Sequence, residues 1–233
     1  MTIAVMQPYF MPYIGYFQLI NAVDQFVIYD DVNYIKGGWI NRNNILVNGK
    51  KNLFTIPLSN ASSFKQINEI EINTGQYNKW RLKFLKTLTQ SYSKAPYFND
   101  VYPIIEISLK EEKMLHSLLV NSIQEICNFI GIDTFIHNSS VGFHNKNLNR
   151  EDRLINICNR LKANTYINTI GGQELYDKDY FAKQNIALKF IKTDTVVYEQ
   201  NSSEFVPSLS IIDVLMFNSR DQIQLMLNRY TLQ

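Results

Sequence analysis

Two short apolar runs bracket a helix-spaced segment at the start of this chain, and that arrangement restricts the fold more than any other feature. Thr2 to Met6 has the profile of a buried strand, and Gln7-Pro8 ends it. Pro8 and Pro12 each remove a backbone donor and hold the following segment extended or turned. From Tyr13 to Val23 the residues Ile14, Phe17, Leu19 and Ile20 recur at roughly helical spacing. Asp24 marks the exit, and Gln25 to Tyr29 is a second apolar run that ends in Asp30-Asp31. Strand, loop, helix, strand is a βαβ unit, most simply parallel and right-handed. Ligands of open α/β sheets bind beyond the carboxyl ends of the strands. Two polar clusters fall there: Gln7 to Tyr13 after the first strand and Asp30 to Asn43 after the second.

The remainder extends the same plan. Asn44 to Pro57 reads as a hairpin around Asn48-Gly49, a strong two-residue turn signal. Ile67 to Ile72 reads as a strand and Asn73-Thr-Gly75 breaks it. Lys79 to Ser91 is an amphipathic helix, with Leu82, Phe84, Leu85 and Leu88 on one side and Lys79, Lys83 and Lys86 on the other. Lys94 to Phe98 is a turn, and Leu109 to Ile130 is a long helix closed by Gly131. Thr134 to Ile136 is a strand, Asn149 to Leu161 a helix capped by Asn149, and Thr165 to Ile167 a strand that leads into Asn168-Thr-Ile-Gly-Gly172. A short helix, a strand at Leu188–Ile191 and a final helix after Ser210 complete the chain. The expected fold class is therefore α/β: a mainly parallel Rossmann-like or HUP-like sheet flanked by helices, with an antiparallel hairpin insertion. One domain over 1–233 is expected, with 44–73 as the insertion.

Composition narrows the function classes. The 233 residues carry 23 Lys and Arg against 21 Asp and Glu, a net charge of +2 that does not mark a nucleic-acid binder. The two cysteines, Cys127 and Cys158, show no CxxC spacing, so a reducing cytoplasm is expected and a disulfide scaffold is not. The N-terminus lacks the parts of a signal peptide, and no window approaches the ~18 apolar residues of a membrane span. His116, His137 and His144 are not at ligand spacing, and no GxSxG, Walker or GxGxxG motif occurs, so no metal and no cofactor is expected.

Several side chains remain that suit a polar ligand. A carboxylate at the end of the second strand, Asp30 or Asp31, can take a proton from an amine. Alternation along a strand sends the two to opposite faces, so only one is expected in a given pocket. Lys36, Arg42 and Trp39 form a compact cationic and aromatic group that suits a nucleotide-linked substrate, with Arg as a planar fork for phosphate and Trp as a stacking face. Gln7, Tyr9 and Tyr13 supply neutral hydrogen bonds, or pack their loop. Gly171-Gly172 can present backbone N–H groups to an anion, or serve an ordinary tight turn.

Gln7-Pro-Tyr-Phe-Met-Pro-Tyr-Ile-Gly-Tyr16, Asp30-Asp-Val32, Lys36-Gly-Gly-Trp-Ile-Asn-Arg-Asn43, Lys94-Ala-Pro-Tyr-Phe98, Gly171-Gly172 and Phe205 to Asp213 together resemble the WbqC-like family, in order and over nearly the whole chain. Many members have His directly before the Gln-Pro pair; Met6 stands there in this chain, so no role of that histidine transfers. The resemblance implies a cytoplasmic transferase of bacterial surface-polysaccharide (O-antigen) biosynthesis that adds an acyl or aminoacyl group, such as glycyl, to the amine of a nucleotide-linked amino sugar. The activated donor would be an acyl or peptidyl carrier protein, coenzyme A or an aminoacyl-tRNA; a homodimer stays open. On this reading Asp30, Asp31 and Lys36 are the catalytic candidates. Gln7, Tyr9, Tyr13, Trp39, Asn41, Arg42, Asn43, Asn168, Gly171 and Gly172 are the substrate-binding ones. Two rivals accompany it: a nucleotidyltransferase or ATP-using ligase on a HUP-type sheet, and a non-catalytic sugar-binding protein.

Overall fold

A computed structural model describes the whole chain, residues 1–233. Strand β1 (Thr2–Met6) runs parallel to β2 (Gln25–Ile28), with helix α1 (Ile14–Asn21) between them. A long excursion then leaves the sheet. It holds the hairpin β3 (Arg42–Val47) and β4 (Lys50–Thr55), the short pair β5 (Leu58–Ser59) and β6 (Glu71–Ile72), and helices α2 (Thr74–Tyr92), α3 (Phe98–Ser108) and α4 (Leu115–Ile130). The chain returns through β7 (Phe135–His137), α5 (Arg150–Arg160), β8 (Thr165–Thr169), α6 (Lys178–Ala182) and β9 (Ala187–Thr193). It closes with α7 (Ile211–Phe217), α8 (Arg220–Leu227) and β10 (Tyr230–Leu232).

The six-stranded sheet has the order β10-β9-β8-β1-β2-β7, parallel throughout except for β10 on β9. Alternation along β1 serves both faces. Ile3 and Val5 pack with Leu154, Ile157 and Phe181 beneath α5 and α6. Ala4 joins the larger core formed by α1, α4, α7, α8 and the excursion. From β1 the chain first builds outward through β2 and β7, then crosses back to place β8 on the other side of β1. The carboxyl ends of β1 and β8 therefore diverge at a topological switch point, where such sheets open a crevice.

Local signals held where they were self-contained. Asn48 and Gly49 both adopt left-handed φ, +52° and +72°, as a two-residue hairpin turn requires. Gly131 caps α4 at φ +74°, and the Asn149 side chain accepts from Asp152 N–H at 2.9 Å. Other boundaries moved. Only the end of Ile67–Ile72 is strand; Ile67–Glu69 is a 3-10 turn. α2 begins at Thr74 because the Asn73 side chain caps it, and Leu82 faces solvent instead of the core. α3 forms despite Pro103, with Val101 and Ile105 fully buried. α4 starts at Leu115, not Leu109, because the preceding stretch lies extended along β6: Ile72 N–H donates to Lys113 O and Leu115 N–H to Ile70 O, both at 2.9 Å. The final helix is split, with Ser219 and Gln222 forming a capping box for α8.

Candidate functional site

The loop after β1 is held from several directions. Phe10 N–H donates to Ile40 O at 3.0 Å, which joins the Gln-Pro segment to the Trp-Ile-Asn-Arg segment. Met11 sits at φ +44°, a conformation that costs a non-glycine residue and persists when its surroundings over-determine it. Its carbonyl accepts from Asn43 Nδ2 at 2.7 Å and from Ser210 Oγ at 2.8 Å, and Ile211 N–H donates to Pro12 O at 2.8 Å.

This bracing leaves a hollow of ≈340 Å³ lined by Tyr9, Pro12, Tyr13, Trp39, Asn43 and Ser208. Trp39 is about half exposed, and the Arg42 guanidinium lies over its ring at 6.0 Å. Burial holds the Tyr9 and Tyr13 hydroxyls above the usual phenol range, so both are neutral groups at physiological pH. Gly15 underlies Tyr13. A methyl group there would collide with the Tyr13 ring and stand 2.9 Å from Thr193 Cγ2. Gly15→Ala is expected to cost about 1–3 kcal/mol through overpacking and to dislodge Tyr13. Thermal denaturation checks this, and Tyr13→Ala in the same background should recover part of the loss.

A larger crevice of ≈630 Å³ opens at the switch point. Gln7 extends into it from β1, Asn168, Gly171 and Gly172 border it after β8, and Arg150 and Arg153 come from the first turn of α5. Open space lies where a side chain on Gly171 would stand. Tyr29 and Tyr176 complete the wall; burial raises both, Tyr29 to about 12 against the opposing pull of Arg153. Loop 32–39 borders both spaces, through Val32, Asn33 and Ile35 in the crevice and Trp39 in the hollow. The loop after β1 does the same, through Gln7 and Tyr9.

Asp30 and Asp31 behave differently from expectation. β2 ends at Ile28, so strand alternation no longer governs them, and both carboxylates converge on Ser140. Asp30 is 1% exposed and accepts from Ser139 Oγ and Ser140 N–H at 2.9 Å. His116 Nδ1 lies 3.2 Å from Asp30 Oδ2 without the alignment of a hydrogen bond. Burial lowers the His116 pKa more than Asp30 raises it. Asp31 accepts from the Ser140 hydroxyl and from Arg153 Nη2, the latter at 2.6 Å. Arg153 also donates to Asn145 Oδ1 at 3.2 Å and lies 4.7 Å over the Tyr29 ring. Neither carboxylate lines the crevice or the hollow; Asp31 acts on the crevice by holding Arg153.

The remaining candidates divide. Gln7, Asn168, Gly171 and Gly172 meet in the crevice, and Tyr9, Tyr13, Trp39 and Asn43 meet in the hollow. Asn41 is buried and lines neither, donating to Ile56 O at 3.0 Å and accepting from Tyr34 OH at 2.8 Å. Arg42 Nε donates to Gly38 O at 3.0 Å, while Lys36 is exposed and lines neither space. Arg150 and Arg153 were missed. Their spacing puts them on one face of a helix start, where the dipole disfavours cations, and that mismatch was the available signal.

Fold and crevice together define a doubly wound α/β protein with its larger crevice at the strand switch point, where sheets of this kind bind ligands. The chain belongs to the WbqC-like protein family, which matches residues 7–225. It is also similar to the uncharacterized protein Rv1507c of Mycobacterium tuberculosis, with 30% identity over 220 residues and 93% of each chain covered. No solved structure matches it. No helix is long and apolar enough to cross a membrane.

Proposed function

We propose that this protein transfers an acyl or aminoacyl group to the amine of a nucleotide-linked amino sugar, in bacterial surface-polysaccharide synthesis. The observation that carries the reading is the switch-point crevice, with two guanidinium groups on one side and a glycine turn on the other. Arg150, exposed and free of any ion pair, takes the phosphates as a planar fork. Arg153, neutralised by Asp31, fixes the wall behind it. The sugar extends past Gln7 into the adjoining aromatic hollow, where Trp39 offers a flat face and the Tyr9 and Tyr13 hydroxyls offer neutral donors.

The amine nitrogen attacks the acyl carbonyl carbon; the new C–N bond forms as the bond to the donor's sulfur or ester oxygen breaks. The amine proton ends on the departing thiolate or alkoxide. An amine with a pKa near the α-amino range of about 8 is partly neutral at physiological pH, so the buried Asp30 and Asp31 need not act as bases. Two buried free thiols, Cys127 and Cys158, fit a reducing cytoplasmic setting.

The test mixes the purified protein with dTDP-linked amino sugars and acyl-carrier, coenzyme A or aminoacyl-tRNA donors, and looks for the amide by mass spectrometry. No amide from any donor, under conditions where a known acyltransferase works, rejects the reading. Pyrophosphate release from ATP would point instead to a ligase. Arg150→Ala should raise KM for the nucleotide sugar by roughly one to two orders of magnitude, the equivalent of about 1.5–3 kcal/mol for a charge-assisted hydrogen bond, with the fold intact.

A further inference from the structure

The near-neutral total charge conceals a strong asymmetry. The segment Lys36–Lys94 holds ten of the 23 Lys and Arg but two of the 21 Asp and Glu, Glu69 and Glu71; the rest of the chain therefore holds 13 basic against 19 acidic residues. In the fold, Lys50 and Lys51 are exposed on β4, and Lys79, Lys83 and Lys86 are exposed on α2. None of these five lies within ion-pair distance of a carboxylate. Glu71 is already taken by Lys113 at 3.4 Å. A positive field left uncompensated in this way steers a negative partner.

The two lysine-bearing elements meet around a hollow of ≈260 Å³, walled by Leu53 and Phe54 from β4 and by Trp80, Lys83 and Phe84 from α2. Leu53 is half exposed and Leu82 65% exposed. The face is thus an apolar notch with ammonium groups around it, the layout of an interface that buries an apolar anchor inside a charged rim.

Three features favour a protein over a nucleic acid. The exposed cations are lysines, point charges without the planar fork that reads phosphate. The arginine of the same helix, Arg81, is turned away, donating to Leu109 O at 2.9 Å and Glu106 O at 3.2 Å. Trp80 is stacked on Phe84 at 5.4 Å and packed on Tyr77 at 5.5 Å, which leaves little free ring for a base.

We propose that the face formed by β4 and α2 docks an acidic protein that carries the activated acyl group on a flexible arm. The proposal rests on the acyl-transfer reading and selects one donor class for it. The geometry suits delivery, because the hairpin joins face to site: Asn43, near its root, lines the aromatic hollow, and Lys50 stands at its tip. At about 3.4 Å per residue the strand spans on the order of 20 Å, a distance that an arm of phosphopantetheine length covers.

The test measures binding of a phosphopantetheinylated bacterial acyl carrier protein to the full chain by calorimetry. Total tRNA and phosphatidylglycerol vesicles serve as rival probes. Carrier binding should weaken with salt and fall at least tenfold in the triple variant Lys79→Glu/Lys83→Glu/Lys86→Glu. Lys189→Glu on β9 should leave it unchanged. Circular dichroism and unaltered nucleotide-sugar binding show that the triple variant is folded. Absence of carrier binding, equal binding by the triple variant, or tighter lysine-dependent binding of tRNA or vesicles overturns the proposal. If the carrier docks as expected but nucleotide sugars fail to bind the crevice, it is the acyl-transfer reading that falls, and the docking face stands.

Discussion

Asp31→Ala is expected to destabilise the protein by about 3–5 kcal/mol, because it strands a buried guanidinium. The side chains of Asp31 and Arg153 are 6% and 8% exposed, and their 2.6 Å contact is the only ion pair Arg153 makes. The remaining partners of Arg153 are Asn145 Oδ1, the Asp31 carbonyl and the face of Tyr29, none of which carries charge at neutral pH. Removing the carboxylate also frees Arg153 to turn into the crevice, so nucleotide-sugar affinity should change along with stability. Urea denaturation of Asp31→Ala, of Arg153→Met and of Asp31→Ala/Arg153→Met separates the effects. The double variant, with no charge left unpaired, should be more stable than Asp31→Ala. A double variant that loses the sum of the two single losses would show that the pair is not coupled.

Asp213→Ala should be comparably severe. The carboxylate is fully buried and has no cation; Tyr92 OH and Tyr198 OH donate to it at 2.8 Å and Gln200 Nε2 at 2.9 Å. Tyr92 in turn accepts from Leu46 N–H at 3.0 Å, so one carboxylate fastens β3, α2 and the segment before α7. Truncation leaves the buried Tyr92 hydroxyl and the partly buried Tyr198 hydroxyl without their acceptor, while Gln200 Nε2 keeps Val206 O at 3.1 Å, a loss of about 2–4 kcal/mol. Burial also lifts the Asp213 carboxyl above its ordinary value, against the pull of those three hydrogen bonds. The folded state therefore prefers the protonated form more than the unfolded chain does. That contribution is full below the ordinary carboxylate value of about 4 and is lost as pH rises through the folded value. Relative to Asp213→Asn, which does not titrate, the wild type should gain stability as pH falls from neutral towards 4. Paired thermal melts read this directly, and the opposite slope would refute it.

The parts of the fold that were legible beforehand are those with local causes. Asn48-Gly49 turns the hairpin because both residues tolerate positive φ. Gly131 ends α4 for the same reason, and Asn149 starts α5 by accepting an orphan N–H. Where a cause was distant, the pattern misled. No element was expected between Phe98 and Leu109, yet α3 forms there because Val101 and Ile105 are buried on either side of Pro103. The alternation rule sent Asp30 and Asp31 to opposite faces, yet Ser140, 110 and 109 residues further on, gathers both. The three residues of β10 carry too little pattern to be recognised; they form a strand because β9 offers an open edge.

By itself, the order of residues determined the α/β class, the parallel opening unit and the presence of polar loops at the strand ends, since each follows from spacing within a few turns of chain. The tertiary structure alone decided that those loops serve two neighbouring spaces, and that the cations lining the crevice come from α5 instead of Lys36 and Arg42. The reason is physical. Which strand lies beside β1, and hence which residues face its carboxyl end, is set by burial summed over the entire core, and no short stretch of sequence contains that sum.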